Sequence, residues 1–141
     1  MQTLKETSLS SCDSLTLARA VTAVLIEKKA LDVRLYCVKE ESSVTDYYVN
    51  ATGRSSTQVA SLADEVAFQT ETRDRAPLRI EGREGNAWLL VDYGDVIVNV
   101  FDRPSREFYN FDRLLTEEAR IDISDIVEEI DKKFEISKAE D

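Results

Sequence analysis

The sequence predicts one α/β domain in which a mixed β-sheet is flanked by α-helices. Segments with apolar residues three and four positions apart alternate with short runs of β-branched and aromatic residues, a pattern typical of helices and strands in one fold. The length of 141 residues suits a single core. The uncharged apolar stretches are much shorter than the roughly 20 residues needed to span a bilayer, so no membrane association is expected.

The first half of the chain predicts two helices with two strands between them. A helix is predicted over residues 14–29, where apolar residues follow one helical face and two lysines suit the C-terminal end. Residues 31–38 and 47–52 are rich in β-formers and are predicted to be strands. Ser55 and Gln58 have the spacing of a capping box, so the second helix is predicted to begin there.

The second half predicts three more strands, at residues 78–81, 88–91 and 96–101. The last two are predicted to form an antiparallel hairpin, because residues 92–95 have turn chemistry. Residues 88–91 are apolar at every position, so we expect this strand near the sheet centre with helices covering both faces. An aromatic segment that begins at Pro104 is expected to close the domain.

The two ends of the chain differ from the predicted domain, which we assign to residues 14–115. Residues 1–13 are expected to form a flexible N-terminus. Residues 116–141 hold ten acidic and four basic residues and carry −6 of the net charge of −10, so they form an acidic extension. An amphipathic helix is predicted within it, because apolar residues recur at helical spacing at Ile123, Ile126, Val127, Ile130 and Phe134.

The composition argues against several kinds of chemistry. The chain has no histidine, so it lacks the commonest general base and the base of serine and cysteine triads. It also lacks the glycine-rich sequence motifs that bind nucleotides. Cys12 and Cys37 are too few and too far apart for a disulfide framework or a zinc site. We interpret both as free thiols and expect no cofactor.

The net charge of −10 disfavours binding to phosphate backbones, because affinity for nucleic acid depends on cationic side chains. A basic protein partner is more compatible with this charge, although acidity can also serve solubility alone. The N-terminal residues have neither the apolar core of a secretory signal nor the arginines of a mitochondrial presequence. A cytoplasmic location is therefore expected.

One enzyme class, the nucleotidyl transferases, is compatible with an α/β sheet of this kind. Gly53, Arg54 and Ser55 lead into a helix and could place backbone amides at a phosphate. Such chemistry needs paired carboxylates for divalent metal ions, and no Asp-x-Asp or Asp-x-Glu occurs in the sequence. Asp92 and Asp95 are separated by a turn and are expected to point differently. The sequence therefore favours a protein that is not an enzyme.

The predicted hairpin leaves two interpretations open. Trp88 could belong to the core, or it could be an anchor at a protein interface, where tryptophan and tyrosine are enriched. Residues 92–95 could be a simple turn or a contact loop. Both roles are compatible with a binding surface that carries no catalytic centre.

Six motifs, in this order and spacing, resemble the ribosomal silencing factor family, also called Iojap-like. They are SVTDYY at residues 43–48, ATGRSSTQ at 51–58, LADEV at 62–66, RIEG at 79–82, WLLVDYGDVIV at 88–98 and REFY at 106–109. The resemblance covers about residues 17–115. It implies a mixed sheet flanked by helices, with an architecture like that of nucleotidyl transferases but without the catalytic carboxylates.

The resemblance implies a function in translation. Members of this family bind the large ribosomal subunit through its fourteenth ribosomal protein, block joining of the small subunit and repress translation, particularly when nutrients run short. The resemblance also implies a homodimer. The alternatives are a metal-dependent nucleotidyl transferase and a ribosome-assembly scaffold in which the acidic extension recruits a partner.

Four of the contact residues that we predict lie in the hairpin, and two weaker candidates flank the predicted strand at residues 47–52. Asp46 and Arg54 are expected near the same end of the sheet as the turn. Asn99 stands where the family usually has a histidine, and an asparagine cannot gain a proton in the physiological pH range. The predicted partner-binding residues are Trp88, Asp92, Tyr93 and Asp95, with Asp46 and Arg54 as weaker candidates.

Overall fold

A computed structural model describes residues 7–140, with side chains described as far as residue 135. This part of the chain forms four helices, six strands and two short 3-10 turns. In chain order the elements are α1 (Ser14–Glu27), β1 (Leu31–Cys37), β2 (Tyr47–Gly53), α2 (Ser56–Thr72), β3 (Arg79–Glu81), β4 (Trp88–Asp92), β5 (Val96–Asp102), α3 (Arg103–Tyr109), the turns Phe111–Leu114 and Glu117–Ala119, β6 (Arg120–Ile121) and α4 (Ser124–Glu140).

The six strands form one mixed sheet in the order β3-β4-β5-β2-β1-β6. The central strands β2 and β5 run parallel, and all other neighbours in the sheet are antiparallel. The predicted α/β class and the antiparallel hairpin β4–β5 are therefore confirmed. None of the helices within the described residues is long and apolar enough to cross a membrane.

The main core lies between one face of the sheet and the helices α1 and α2. Alternate residues of β2, β4 and β5 point into it, as the period of two in a strand requires. The predicted capping box does begin α2, since Ser55 Oγ accepts from the Gln58 N–H at 3.1 Å. Gln58 Oε1 accepts a hydrogen bond from the N–H of Arg54, and not from that of Ser55 as a capping box would require.

The expectation that helices cover β4 on both faces is wrong. Leu89 and Val91 face the core, but Trp88 and Leu90 face an open groove on the other side of the sheet. β4 is also second from the edge and not at the centre. The physical reason is the short helix α3, which lies mainly over β5 and β2 and reaches β4 only where Tyr109 packs on Trp88. The apolar residues on this face of β4 therefore line a surface groove and are not covered by a second helical layer.

The aromatic segment after Pro104 does not close the domain as expected. Phe108 is 81 % exposed and Leu114 is 76 % exposed. In α3, whose residues are all described, Arg106 alone is buried. The helix ends after two turns at Asn110, which adopts a left-handed conformation with φ 49°. Its contact with the sheet is made by the buried Arg106 and by Tyr109, which packs on Trp88 and stays half exposed.

Both ends of the chain extend the core beyond residues 14–115. Residues 1–6 of the expected flexible N-terminus lie outside the described residues, but Leu9 is 1 % exposed and packs in the main core. A single leucine in a polar segment has no periodicity that could have predicted this burial. In the acidic extension, β6 pairs with β1, and Ile126 and Ile130 of α4 are buried.

Candidate functional site

The open face of the sheet forms a groove of about 510 Å³. Its floor comes from β2, β4 and β5, and its rim from the turn Phe111–Leu114 and from the segments before β2 and β3. The lining is mostly apolar, with polar groups in the floor and at one end. The lining residues are Val44, Tyr48, Leu78, Arg79, Glu81, Trp88, Leu90, Asp92, Gly94, Ile97, Asn99 and Phe111.

Five aromatic rings form a continuous row along the groove and beyond its end. Trp88 lies in the middle, with ring centroids 5.0 Å from Tyr109 and 6.2 Å from Phe111. Phe108 extends the row from Tyr109, and Tyr48 extends it from Phe111, each at 5.0 Å. We call this set the aromatic row. Large rigid rings that remain partly exposed are typical anchors of protein interfaces.

Beneath the aromatic row, a buried polar relay connects Trp88 to a carboxylate. The indole Nε1–H of Trp88 donates to Asn99 Oδ1 at 3.0 Å. The amide of Asn99 donates to Asn50 Oδ1 at 3.0 Å, and the amide of Asn50 donates to Asp112 Oδ1 at 2.9 Å. Both asparagines are almost fully buried. The groove floor is therefore hydrogen-bonded to the turn that carries Phe111.

Asp112 is held by a buried ion pair with Arg106. The Arg106 Nε lies 2.9 Å from Asp112 Oδ2, and its Nη2 lies 3.2 Å from Oδ1. Burial by itself raises the pKa of Asp112, but hydrogen bonds from Arg106, Asn50 and Tyr36 outweigh it, so the pKa lies below its usual value. The carboxylate at the end of the relay is therefore ionised at neutral pH.

Two of the predicted contact residues, Trp88 and Asp92, line the groove. The carboxylate of Asp92 already has partners, since it accepts from the N–H of Gly94 at 2.7 Å and lies 3.1 Å from Arg79 Nη2. Asp92 thus shapes the turn and neutralises Arg79. Of these two residues, Trp88 has the larger solvent-exposed surface and no charged partner among the described residues.

Tyr93 lies in the main core, opposite to its predicted position in a contact loop. It is 3 % exposed, and its hydroxyl lies 2.7 Å from Thr70 Oγ1 of α2. Residues in β4 alternate between faces, so the residue that follows Asp92 points towards the helices. Tyr93 therefore offers almost no surface to a partner.

Asp95 and Asp46 lie at the turn end of the sheet but do not line the groove. Asp95 pairs with Arg75 at 2.7 Å and accepts from Ser14 Oγ at 2.8 Å, and Asp46 accepts from the same hydroxyl at 3.4 Å. Both carboxylates bind elements on the helical side of the sheet. They hold the start of α1 against the hairpin turn.

Arg54 lies at the opposite end of the sheet from Asp46, so the expected shared position is wrong. Asp46 precedes β2 and Arg54 follows it, and seven strand residues separate them. At about 3.3 Å per residue this separation exceeds 20 Å. The guanidinium of Arg54 donates to the carbonyl of Lys29 at 2.8 Å, so it caps the end of the α1 region.

The described residues contain no group of three His, Cys, Asp or Glu side chains that could hold a metal ion. Asp92 and Asp95 are bound to different arginines on different sides of the turn. Both carboxylates are therefore engaged in ion pairs within the chain.

The sequence interpretation singled out Trp88 and Asn99 but missed their connection through Asn50 to Asp112 and Arg106. Asn50 and Asn99 lie in the middle of two strands, where asparagine is disfavoured, and they are direct neighbours in the parallel register. Two asparagines at the middle of two predicted strands could have indicated a buried polar pair in the sheet. Arg106 and Asp112 carried no such signal, because their pairing depends on the bend at Asn110.

Together the fold and the groove define a small α/β domain with an open aromatic face on its sheet. The sequence model described as "Ribosomal silencing factor during starvation" (RsfS) matches residues 11–141. The chain belongs to this ribosomal silencing factor family, and the resemblance noted in the sequence is confirmed.

Named relatives and solved structures agree with this assignment. The ribosomal silencing factor RsfS of Zymomonas mobilis is 35 % identical over 105 residues, which cover 74 % of this chain and 79 % of the relative. That of Bacillus subtilis is 31 % identical and covers 70 % of this chain and 84 % of its own. Silencing is a regulatory role and not an enzyme activity.

Two crystal structures are similar in fold. A Chromobacterium violaceum protein superposes with a TM-score of 0.71 at 27 % identity, covering 74 % of this chain and 87 % of the other. A Bacillus halodurans protein superposes with a TM-score of 0.65 at 32 % identity, covering 78 % and 99 %. The chloroplastic Iojap protein of Zea mays is also similar, with 27 % identity over 100 residues.

Proposed function

We propose that this protein binds the large ribosomal subunit through its fourteenth ribosomal protein and prevents the small subunit from joining. Translation is thereby repressed, particularly when nutrients are limiting. The observation that carries the proposal is the open groove with its aromatic row, on a domain of the silencing factor family. Occlusion needs only a tightly held domain at the joining face and no chemical step.

The groove has the properties of a protein interface. Its rim carries the exposed side chains of Val44 and Leu78, and Phe108 extends the apolar surface past the end. Aromatic side chains bury a large area at low entropic cost, which is why they dominate interface energies. The net charge of −10 favours a basic protein surface as the partner and speeds the encounter with it.

Sedimentation tests this function. Purified large subunits are mixed with the protein, pelleted through sucrose and assayed for joining with small subunits by light scattering. We expect co-sedimentation and a loss of joined ribosomes, with both effects reversed by free ribosomal protein fourteen. Absence of co-sedimentation would contradict the proposed function. Binding that persists in the presence of excess free ribosomal protein fourteen would contradict the proposed partner.

A role in ribosome assembly is the second candidate, because a mouse relative at 25 % identity is named "Mitochondrial assembly of ribosomal large subunit protein 1". Removing residues 116–141 would be a poor test, since it deletes β6 and the buried Ile126 and Ile130. Charge reversal at the exposed Glu128 and Glu129 leaves the packing intact. If the extension recruits an assembly partner, this variant accumulates large-subunit precursors, whereas occlusion by the groove is unaffected.

A homodimer is part of the same proposal. Phe68 is 62 % exposed on α2, and the edge strand β3 lies beside it with its outer backbone groups unpaired in the sheet. Light scattering distinguishes the states, because one chain has a mass of 16.0 kDa and a dimer has twice that mass. A mass near that of one chain at micromolar concentration would contradict the dimer.

A further inference from the structure

The relay from Trp88 to Asp112 has a fixed hydrogen-bond polarity. An indole N–H can only donate, and an ionised carboxylate can only accept. Asn99 must therefore present its oxygen to Trp88 and its amide to Asn50, and Asn50 must present its amide to Asp112. Turning either amide over would place two donors or two acceptors against each other. The two ends thus determine the orientation of both asparagines.

The carboxylate end of the relay is anchored from three sides. Arg106 binds Asp112 through two nitrogens, and the hydroxyl of Tyr36 donates to the carboxylate at 3.1 Å. Arg106 is fixed in turn by the carbonyl of Asp32 at 2.7 Å and by Thr52 Oγ1 at 3.0 Å. A planar guanidinium held by this many acceptors has little freedom to move. Asp112 is therefore a rigid base for the relay.

The groove end of the relay is a single hydrogen bond to a ring that the partner would contact. Trp88 packs on Phe101 at 4.9 Å and on Tyr109 at 5.0 Å, but neither contact restricts which edge of the indole points into the floor. The bond from Nε1 to Asn99 supplies that restriction. A buried acceptor beside a ring selects one rotamer, because any other leaves the acceptor unpaired.

We propose that Asn99 and Asp112 are positioning residues for the partner-binding groove: Asn99 fixes the Trp88 indole in one orientation, and Asp112 sets the polarity of the relay and holds Phe111 beside it. This inference rests on the proposed function, since the oriented indole is the anchor offered to the ribosomal partner. Neither residue needs to touch that partner. Their contribution is pre-organisation of the aromatic row, which reduces the cost of binding.

The chemistry of the relay defines which side chains can replace Asn99. A neutral imidazole has one nitrogen that accepts and one that donates, so it can serve Trp88 and Asn50 together. A protonated imidazole only donates and cannot accept from the indole. The variant Asn99→His therefore makes the relay sensitive to pH, and burial lowers the pKa of this ring from the ordinary histidine value of about 6.5. The charged groups that line the same groove are Arg79, Glu81 and Asp92.

The single tryptophan of the chain gives a direct readout, because one indole N–H resonance reports on Trp88 alone. In Asn99→Leu, which has a similar shape and no acceptor, we expect this resonance to move upfield and its exchange with solvent to accelerate. In Asn99→His we expect the native resonance at pH 8 and the shifted one at about pH 4.5, where a buried ring with a lowered pKa is protonated. The native protein, which has no histidine, should show one position at both pH values.

The matched control is Thr22→Val. Thr22 is fully buried in α1 and donates to the carbonyl of Ala18 at 2.8 Å, so this variant also loses a buried hydrogen bond, but on the helical side of the sheet. It should leave the indole resonance unchanged. An indole resonance that is unchanged in Asn99→Leu, or independent of pH in Asn99→His, would overturn the proposal. Asn99→His retains an acceptor at this position, so it tests the proposal even if Asn99→Leu does not fold.

Binding to large subunits supplies the second readout. We expect Asn99→Leu to bind about 3- to 10-fold more weakly than Thr22→Val, the loss that corresponds to one hydrogen bond of ordinary net strength. A shifted indole resonance with unchanged binding would overturn the positioning role. No binding by the native protein would overturn the proposed function instead, and the resonance of the free protein would still decide whether Asn99 orients Trp88.

Discussion

Asn50 and Asn99 lie directly opposite each other in the central parallel strands, and the amide of Asn99 donates to Asn50 Oδ1 over 3.0 Å. Asparagine is a poor strand residue, and two of them at the centre of a sheet need internal partners. They find those partners in Trp88 on one side and Asp112 on the other. A polar pair in the sheet therefore connects the exposed aromatic row to a buried ion pair.

The buried ion pair is expected to matter more for stability than any surface pair. In Asp112→Ala the buried guanidinium of Arg106 loses its nearest carboxylate and keeps only that of Asp32 at 3.7 Å, so we expect a loss of about 3 kcal/mol in the free energy of unfolding, the lower end of the range for a buried pair. Asp64→Ala is the control, because its partner Arg83 is exposed and such pairs contribute about 1 kcal/mol or less. Urea unfolding at pH 7 measures both.

The same pair predicts a dependence on acid. Burial raises the pKa of Asp112, but the hydrogen bonds from Arg106 and Asn50 lower it by a larger amount. The folded-state pKa therefore lies below the unfolded value of about 3.9. The stabilisation is then complete above that value and is lost as the pH falls through the folded-state pKa. Asp112→Ala should lack this loss. Equal acid sensitivity in the native protein and in Asp112→Ala would contradict this account.

Tyr93 is expected to act in the core and not at the partner surface. Tyr93→Phe removes the hydrogen bond to Thr70 and should lower the free energy of unfolding by about 1 kcal/mol, with no change in binding to large subunits. Tyr109→Phe, at an exposed ring, should leave stability unchanged. Weakened binding by Tyr93→Phe with native stability would restore Tyr93 as a contact residue.

Tyr93 also predicts a dependence on alkali. Burial raises its pKa to about 12, against the opposing effects of the Thr70 hydrogen bond and of Arg75. The unfolded chain ionises this phenol near pH 10, so stability falls as the pH rises from about 10 towards 12. A shift of this size corresponds to about 2 to 3 kcal/mol. The loss over that range should be smaller by about this amount in Tyr93→Phe, as measured by urea unfolding.

Gly82 is expected to be required for the position of β4. Its φ is +101°, and a Cβ placed there would lie 2.1 Å from the carbonyl oxygen of Trp88. Gly82→Ala should therefore cost more than the roughly 1 to 3 kcal/mol of backbone strain alone, and it should displace Trp88. Gly85→Ala is the matched control, since a Cβ at Gly85 meets nothing within 4 Å. Similar unfolding midpoints for the two variants would contradict this reading.

Much of the fold was predictable because local patterns determine it. Apolar spacing located α1 and α2, and turn chemistry between two β-rich runs located the hairpin β4–β5. The open groove was not predictable, because Leu90 has the same apolar character whether helices or a partner cover it. A sequence pattern indicates which residues are apolar, but only the tertiary structure shows whether helices or a surface groove lie over them.

The site was predicted only in part for the same reason. Trp88 was selected for its residue type and does line the groove, while Tyr93 was selected for its residue type and lies on the other face. The difference comes from strand alternation at the exact end of β4, and boundaries are the least reliable part of a sequence interpretation. The pairing of Arg106 with Asp112 depends on a bend that no periodicity signals.

The most direct test of the central claim is the affinity for purified large subunits of two alanine variants, measured by sedimentation titration. Trp88→Ala removes the middle ring of the aromatic row, and Leu15→Ala removes an exposed apolar side chain from α1, outside the groove and outside the proposed dimer surface. We expect Trp88→Ala to bind about 30-fold more weakly or worse, as for an interface anchor, and Leu15→Ala to bind normally. Equal affinity of the two variants, with both folded, would contradict a ribosome-binding role for the groove.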